Sequence, residues 1–146
     1  MRRLLLLISG VLALNLCACR SNYASQTRPV MLKAPLTQDR GKLLKIVMYS
    51  LSCRRWQVGE YDLSRVEAEY KNIGVALTIL PSGQIEVRHL NRAIRRGHAN
   101  SLKRWMGALQ QTMRGVAMYE KKRLDEGLRA YGISPDEIEK LNPTKQ

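Results

Sequence analysis

VALTILPSGQIEVRHL, residues 75 to 90, fixes more of this chain's architecture than any other stretch. Val75, Leu77 and Ile79 alternate with smaller residues, Pro81, Ser82 and Gly83 supply turn chemistry, and Ile85 and Val87 alternate with Glu86 and Arg88. A period of two on both sides of a turn predicts a β-hairpin with one apolar face. A hairpin alone is marginal in water, so this one must bury its apolar face against helices or gain strands from elsewhere.

The rest of the chain supplies helices. In RGKLLKIVMYSLSCRRWQV, residues 40 to 58, Leu43, Val47 and Leu51 recur at helical spacing opposite Lys42, Lys45 and Ser52. Ile46, Val47 and Tyr49 also suit a strand, and the reading favours a helix capped by Thr37 and closed by Gly59. Ser64 to Glu67, SRVE, matches a capping box preceded by Leu63 and predicts a short helix carrying Val66, Tyr70 and Ile73 to a stop at Gly74. A short helical turn is expected over 91–97. Ser101 then opens a helix running to Tyr131, with Leu102, Trp105, Leu109, Met113, Val116 and Leu124 as its apolar stripe and Gly132 as its stop. Thirty residues of helix span about 45 Å, long for so small a domain, so a bend near Gly115 is one outcome. Ser134 to Glu137, SPDE, starts a last helix that ends before Pro143. The expected class is therefore α+β: a mainly helical small domain with one β-hairpin and a long C-terminal amphipathic helix.

Charge narrows the partners. The 146 residues hold 25 Lys and Arg against 12 Asp and Glu, a net charge of +13, which favours anionic partners: nucleic acid, lipid head groups, lipopolysaccharide phosphates or acidic proteins. The cations concentrate in RHLNRAIRRGHANSLKRW, residues 88 to 105, where Arg88, Arg92, Arg95, Arg96, Lys103 and Arg104 meet no acidic residue. If 88–96 is helical, the first four fall largely on one face and form a phosphate-binding surface; the alternative is a solvated face. EKKR at 120–123 is followed by Asp125 and Glu126 and reads as a solvated face.

Three cysteines, Cys17, Cys19 and Cys53, give no even disulfide framework. A metal site needs three or four ligands in reach, and the nearest histidine to the Cys17–Cys19 pair is His89, far along the chain. Cys53 stands beside Arg54 and Arg55, which would favour a thiolate if the sulfur is exposed; otherwise it is a small buried hydrophobe. His89 continues the alternation of Ile85 and Val87 and reads as a packed residue, whereas His98 lies beside Gly97 without an identifiable carboxylate partner. No nucleophile elbow or phosphate loop is present, and no cofactor is expected.

MRRLLLLISGVLALNLCAC, residues 1 to 19, has a cationic start, an apolar run from Leu4 to Leu16 and then small residues, the order of a secretory signal and too short for a spanning helix. Leu16, Cys17, Ala18 and Cys19 fill an aliphatic, variable, small, Cys pattern, and the segment resembles a bacterial lipoprotein precursor. The resemblance covers residues 1 to 19 alone. It implies cleavage before Cys19, lipid attachment at Cys19 and, with Arg20 rather than Asp following, residence at the outer membrane facing the periplasm in a Gram-negative cell. Cys53 would then be the single thiol of the processed chain.

The expected organisation is a signal peptide over 1–18, a lipidated N-terminus and tether over 19–39 with a reach on the order of 60 Å, and one basic domain over 40–146. The leading functional expectation is a non-enzymatic envelope lipoprotein that binds an anionic envelope component, or joins an envelope assembly, through a basic helical face. The alternatives are a nucleic-acid-binding protein using the hairpin and the Arg-rich stretch like a winged module, and an envelope enzyme using Cys53 or His98.

Overall fold

In the computed structural model, residues 23–24, 29–35, 37–90 and 94–142 are described, with the side chains of 23–24 and 94–99 left aside. The elements are β1 (Tyr23–Ala24), β2 (Val30–Lys33), α1 (Arg40–Cys53), β3 (Gln57–Tyr61), β4 (Arg65–Tyr70), β5 (Ile73–Ile79), β6 (Gln84–His89), β7 (Ile94–Arg95), α2 (Arg96–Val116), α3 (Lys121–Ala130) and α4 (Pro135–Leu141). The fold is α+β. A five-stranded antiparallel sheet in the order β2-β6-β5-β4-β3 accompanies four helices among the described residues, so the domain is not mainly helical.

The hairpin of 75–90 is the pair β5–β6, with Ile79 facing Ile85 and Leu77 facing Val87. It is the centre of the sheet and not a free wing. Val66, Ala68, Ile73, Val75, Leu77, Ile79, Ile85, Val87 and Leu32 point to one face and are buried there. The other face carries Met31, Lys33, Arg65, Glu69 and Arg88, all exposed.

Two strands replace other expectations. The short helix predicted over 64–73 is strand β4, because its residues satisfy two periods at once: Val66, Tyr70 and Ile73 at helical steps, and Val66, Ala68 and Tyr70 at strand steps. The turn before it decides the contest. Asp62 accepts hydrogen bonds from the Ser64 amide (2.6 Å), the Ser64 hydroxyl (2.7 Å) and the Arg65 amide (2.9 Å), so Ser64 closes a tight β-turn instead of capping a helix. Gly74 lies inside β5, and the reversal falls on Lys71 and Asn72, whose φ angles of 49° and 63° make the two-residue turn that matches strand twist. The stretch 20–39, expected as a tether, contributes strand β2, which pairs antiparallel with β6 from Val30 opposite Val87 to Lys33 opposite Gln84. The alternation of Val30, Met31 and Leu32 puts the first and third on the core face.

The expected helix over 40–58 is α1, but its ends differ. Asp39, not Thr37, is the N-cap and accepts from the Lys42 amide at 3.1 Å. The helix stops at Arg54, with the Trp56 amide bonded to the Leu51 carbonyl and the Arg55 amide to the Ser52 carbonyl, a Schellman closure in which Arg55 takes the left-handed φ of 65°. Gly59 instead lies where the β3–β4 register shifts between Val58 and Tyr61. Leu43, Leu44, Ile46, Val47, Met48 and Leu51 are at most 4% exposed, so α1 is apolar nearly all round. Such a helix has to be enclosed, and α1 touches β3, β4, α2, α3 and α4.

The long helix expected from 101 to 131 is two helices. α2 ends at Val116 and α3 begins after Glu120, whose backbone is extended. The break comes just after Gly115 and lets Leu124 and Leu128 turn back onto α1, where a straight helix would overshoot the core. Gly132, with a φ of 76°, closes α3 as expected, and Pro135 opens α4 at its first turn.

Candidate functional site

Of the six cations nominated from sequence, two stand on the outer side of α2. Leu102, Met106, Leu109, Met113 and Val116 are buried on one side of this helix. Asn100, Lys103, Arg104, Gly107, Gln111, Arg114 and Gly115 are exposed on the other, at three- and four-residue steps. No acidic residue occurs from Val87 to Tyr119. Among the described residues no carboxylate lies within ion-pair distance of Lys103, Arg104 or Arg114. Arg114 therefore extends the candidate surface by about 15 Å along the helix, and its spacing from Lys103 and Arg104 was visible in the sequence.

Two of the other nominated cations, Arg88 and Arg95, stand on strands and not on this helix. Arg88 is on β6, not on a helix, because the period-two pattern of the hairpin continues to His89. It donates through Nε and Nη2 to Glu86 on the same strand face, so its charge is spent locally. That hydrogen bond also holds the Glu86 carboxyl below its ordinary range. Arg92 lies outside the described residues. Arg95 ends the short strand β7 and Arg96 begins α2, so the turn of helix expected over 91–97 is replaced at 94–95 by a strand. β7 pairs with β1: Tyr23 is opposite Arg95 and Ala24 opposite Ile94.

Cys53 is an exposed free thiol at the end of α1, so the reading as a buried hydrophobe is set aside. The Tyr131 hydroxyl sits 4.0 Å from its sulfur, and the Tyr49 ring packs between those of Tyr119 and Tyr131 at centroid distances of 6.2 and 5.9 Å. Burial raises the Tyr49 phenol pKa, and hydrogen bonding to Cys53 raises that of Tyr131. Phenols held neutral in this way are poor general bases toward the thiol. His89 is half-buried at the core end of β6, and the side chain of His98 lies outside the described residues. Among the described residues no group of three or more His, Cys, Asp and Glu is placed to hold a metal ion.

A second polar centre escaped the sequence reading. Lys45, expected on the polar side of α1, is 5% exposed. Its Nζ lies 2.7 Å from Asp125 of α3 and 2.8 Å from Glu139 of α4, and Lys121 also reaches Glu139 at 2.8 Å. Hydrogen bonds from Lys121 and Lys45 depress the Glu139 carboxyl to about 2. A cleft of about 120 Å³ adjoins the cluster, lined also by Asp39, Gly41, Lys42 and Asn142. The cluster pins three helices together, and removing Lys45 would leave Asp125 as an uncompensated buried charge. One signal was present in the sequence: Lys45 is flanked by Leu43, Leu44, Ile46 and Val47, whereas Lys42, nearer the start of the same helix, stays exposed. The partners, 80 and 94 residues away, were not visible.

Comparison with models of known families, with curated proteins and with solved structures finds no match for this chain.

Proposed function

We propose that this chain is a lipid-anchored, non-enzymatic protein of the bacterial cell envelope, residing at the outer membrane and facing the periplasm. The outer face of α2 binds an anionic envelope component or a partner in an envelope assembly. The observation that carries the binding half is the row of Lys103, Arg104 and Arg114 without a carboxylate within ion-pair reach. Guanidinium and ammonium groups left unpaired on a rigid helix are suited to phosphate and carboxylate ligands. The anchoring half is supported by the Leu16–Cys19 pattern, and no helix among the described residues is long and apolar enough to cross a membrane.

Labelled palmitate tests the anchor: the wild-type chain takes up label and Cys19→Ser does not. A wild-type chain that takes up none and stays in the soluble fraction refutes it. A second reading, nucleic acid on the same face, is favoured by the same acid-free row. Binding measured at low salt against duplex and single strands separates the two, because electrostatic contacts to phosphates are strongest there. The absence of affinity at low salt removes this second reading.

A further inference from the structure

The β1–β7 ladder changes where the anchored domain sits. Were residues 20–39 a free tether, the domain would range tens of ångströms from the bilayer. Instead Tyr23 is paired with Arg95, and the backbone of Arg96 opens α2 immediately afterwards. Tyr23 is four positions after Cys19, and extended chain spans at most about 3.5 Å per residue, so this ladder lies within roughly 14 Å of the attachment point. From Arg96, α2 reaches Lys103 and Arg104 in about two turns, on the order of 10 to 12 Å. The acid-free cations at the start of α2 are thus tied by a short covalent lead to the place where the acyl chains enter the membrane.

We infer that the N-terminal half of α2, which carries Lys103 and Arg104, docks onto the anionic phospholipid head groups around the protein's own anchor. This rests on the lipidation reading and names the partner of the basic face. Two observations support it together: the length of chain between Cys19 and the ladder, and the positive charge of a segment without acidic residues. Clustered Lys and Arg next to a membrane anchor are drawn to anionic head groups, with an attraction that falls off within a Debye length. The lead and the first two turns of α2 together hold Lys103 and Arg104 within roughly 26 Å of the attachment point, and laying α2 along the surface brings them within a Debye length of it. Acyl chains and basic patch act as joint signals, the second fixing orientation. The domain lies against the membrane along α2 and does not hang from it.

The test uses the full chain purified with its native acyl groups and inserted into vesicles of phosphatidylcholine, alone or with about 30% phosphatidylglycerol. Amide hydrogen exchange over residues 94–104 is expected to be about fivefold slower or more on the anionic vesicles, with the difference abolished at high salt. Lys103→Gln with Arg104→Gln should remove most of this protection while exchange in β5 and β6 stays unchanged, which shows that the fold is intact. Equal exchange on both vesicles, in protein whose mass confirms the acyl groups, overturns the docking and leaves the anchor standing. A mature mass lacking acyl groups overturns the anchor, and the docking falls with it.

Discussion

Arg55 and Gly132 occupy the same place in two helix closures, and only one of them suits it. Both follow the C-cap, both sit in the left-handed region, at φ of 65° and 76°, and both are followed by an apolar residue, Trp56 or Ile133, bonded back to a leucine carbonyl. Glycine takes this conformation freely, whereas a Cβ costs about 1 kcal/mol there. Arg55→Gly should therefore stabilise the protein by about 0.5–1 kcal/mol in chemical denaturation, because Arg55 is exposed. A loss of stability would show that the Arg55 side chain contributes more than the backbone costs. Gly132 was legible in the sequence as a helix stop because glycine advertises its conformation. Arg55 was not, since no residue type predicts a strained arginine. Glu139 gives the second prediction at this scale. Its folded pKa of about 2 lies below the ordinary 4.5, so its contribution is present above pH 4.5 and is lost as pH falls towards 2. Its side chain is 35% exposed, so solvent screens part of the effect. Unfolding free energy measured between pH 6 and 2 should fall in this window, and Glu139→Gln should flatten that part of the fall.

Among the elements, α2 illustrates how much periodicity reveals and where it stops. Leu102, Leu109, Met113 and Val116 are buried as their spacing predicts. The end of the helix at Val116 was not legible, since the apolar steps continue through Leu124 and only the position of α1 forces the chain to turn. The stretch 64–73 failed for a related reason: SRVE carries the capping pattern, but Asp62 takes the Ser64 hydroxyl and amide, and β5 offers RVEAEY a ladder of six residue pairs. The anion-binding candidates divide in the same manner, because residue type and spacing found Lys103 and Arg104 while the pairing of Arg88 with Glu86 required knowing that both stand on one strand face. Gly107 lies mid-helix on the outer face of α2, and a Cβ there meets nothing within 4 Å. Gly107→Ala should therefore stabilise the free protein by about 0.5–1 kcal/mol through reduced unfolded-chain entropy. A destabilised Gly107→Ala in thermal unfolding would mean that the outer face of α2 is covered in the folded protein.

For the whole molecule the dominant quantity is the charge imbalance, 25 cations against 12 anions. Self-repulsion of this size opposes the compact state and is screened by salt, while the pairs of Lys45 are buried and lose little. Raising sodium chloride from low to physiological concentration should raise the thermal midpoint by a few degrees; an unchanged or falling midpoint would mean that surface ion pairs outweigh the repulsion. The same fold has a cost in time. β2 is the first strand of the five-stranded sheet to be synthesised and its partner β6 the last, with Val30 and Val87 paired across 57 positions. Until β6, α2, α3 and α4 exist, α1 has no complete enclosure for Leu44, Ile46, Met48 and Leu51. A nascent chain therefore carries an adhesive apolar rod for most of its synthesis, and non-local closure of this kind is slow. A chain stalled before β6 is therefore expected to aggregate more readily than the finished one, since it exposes the apolar residues of α1 with no partner to cover them.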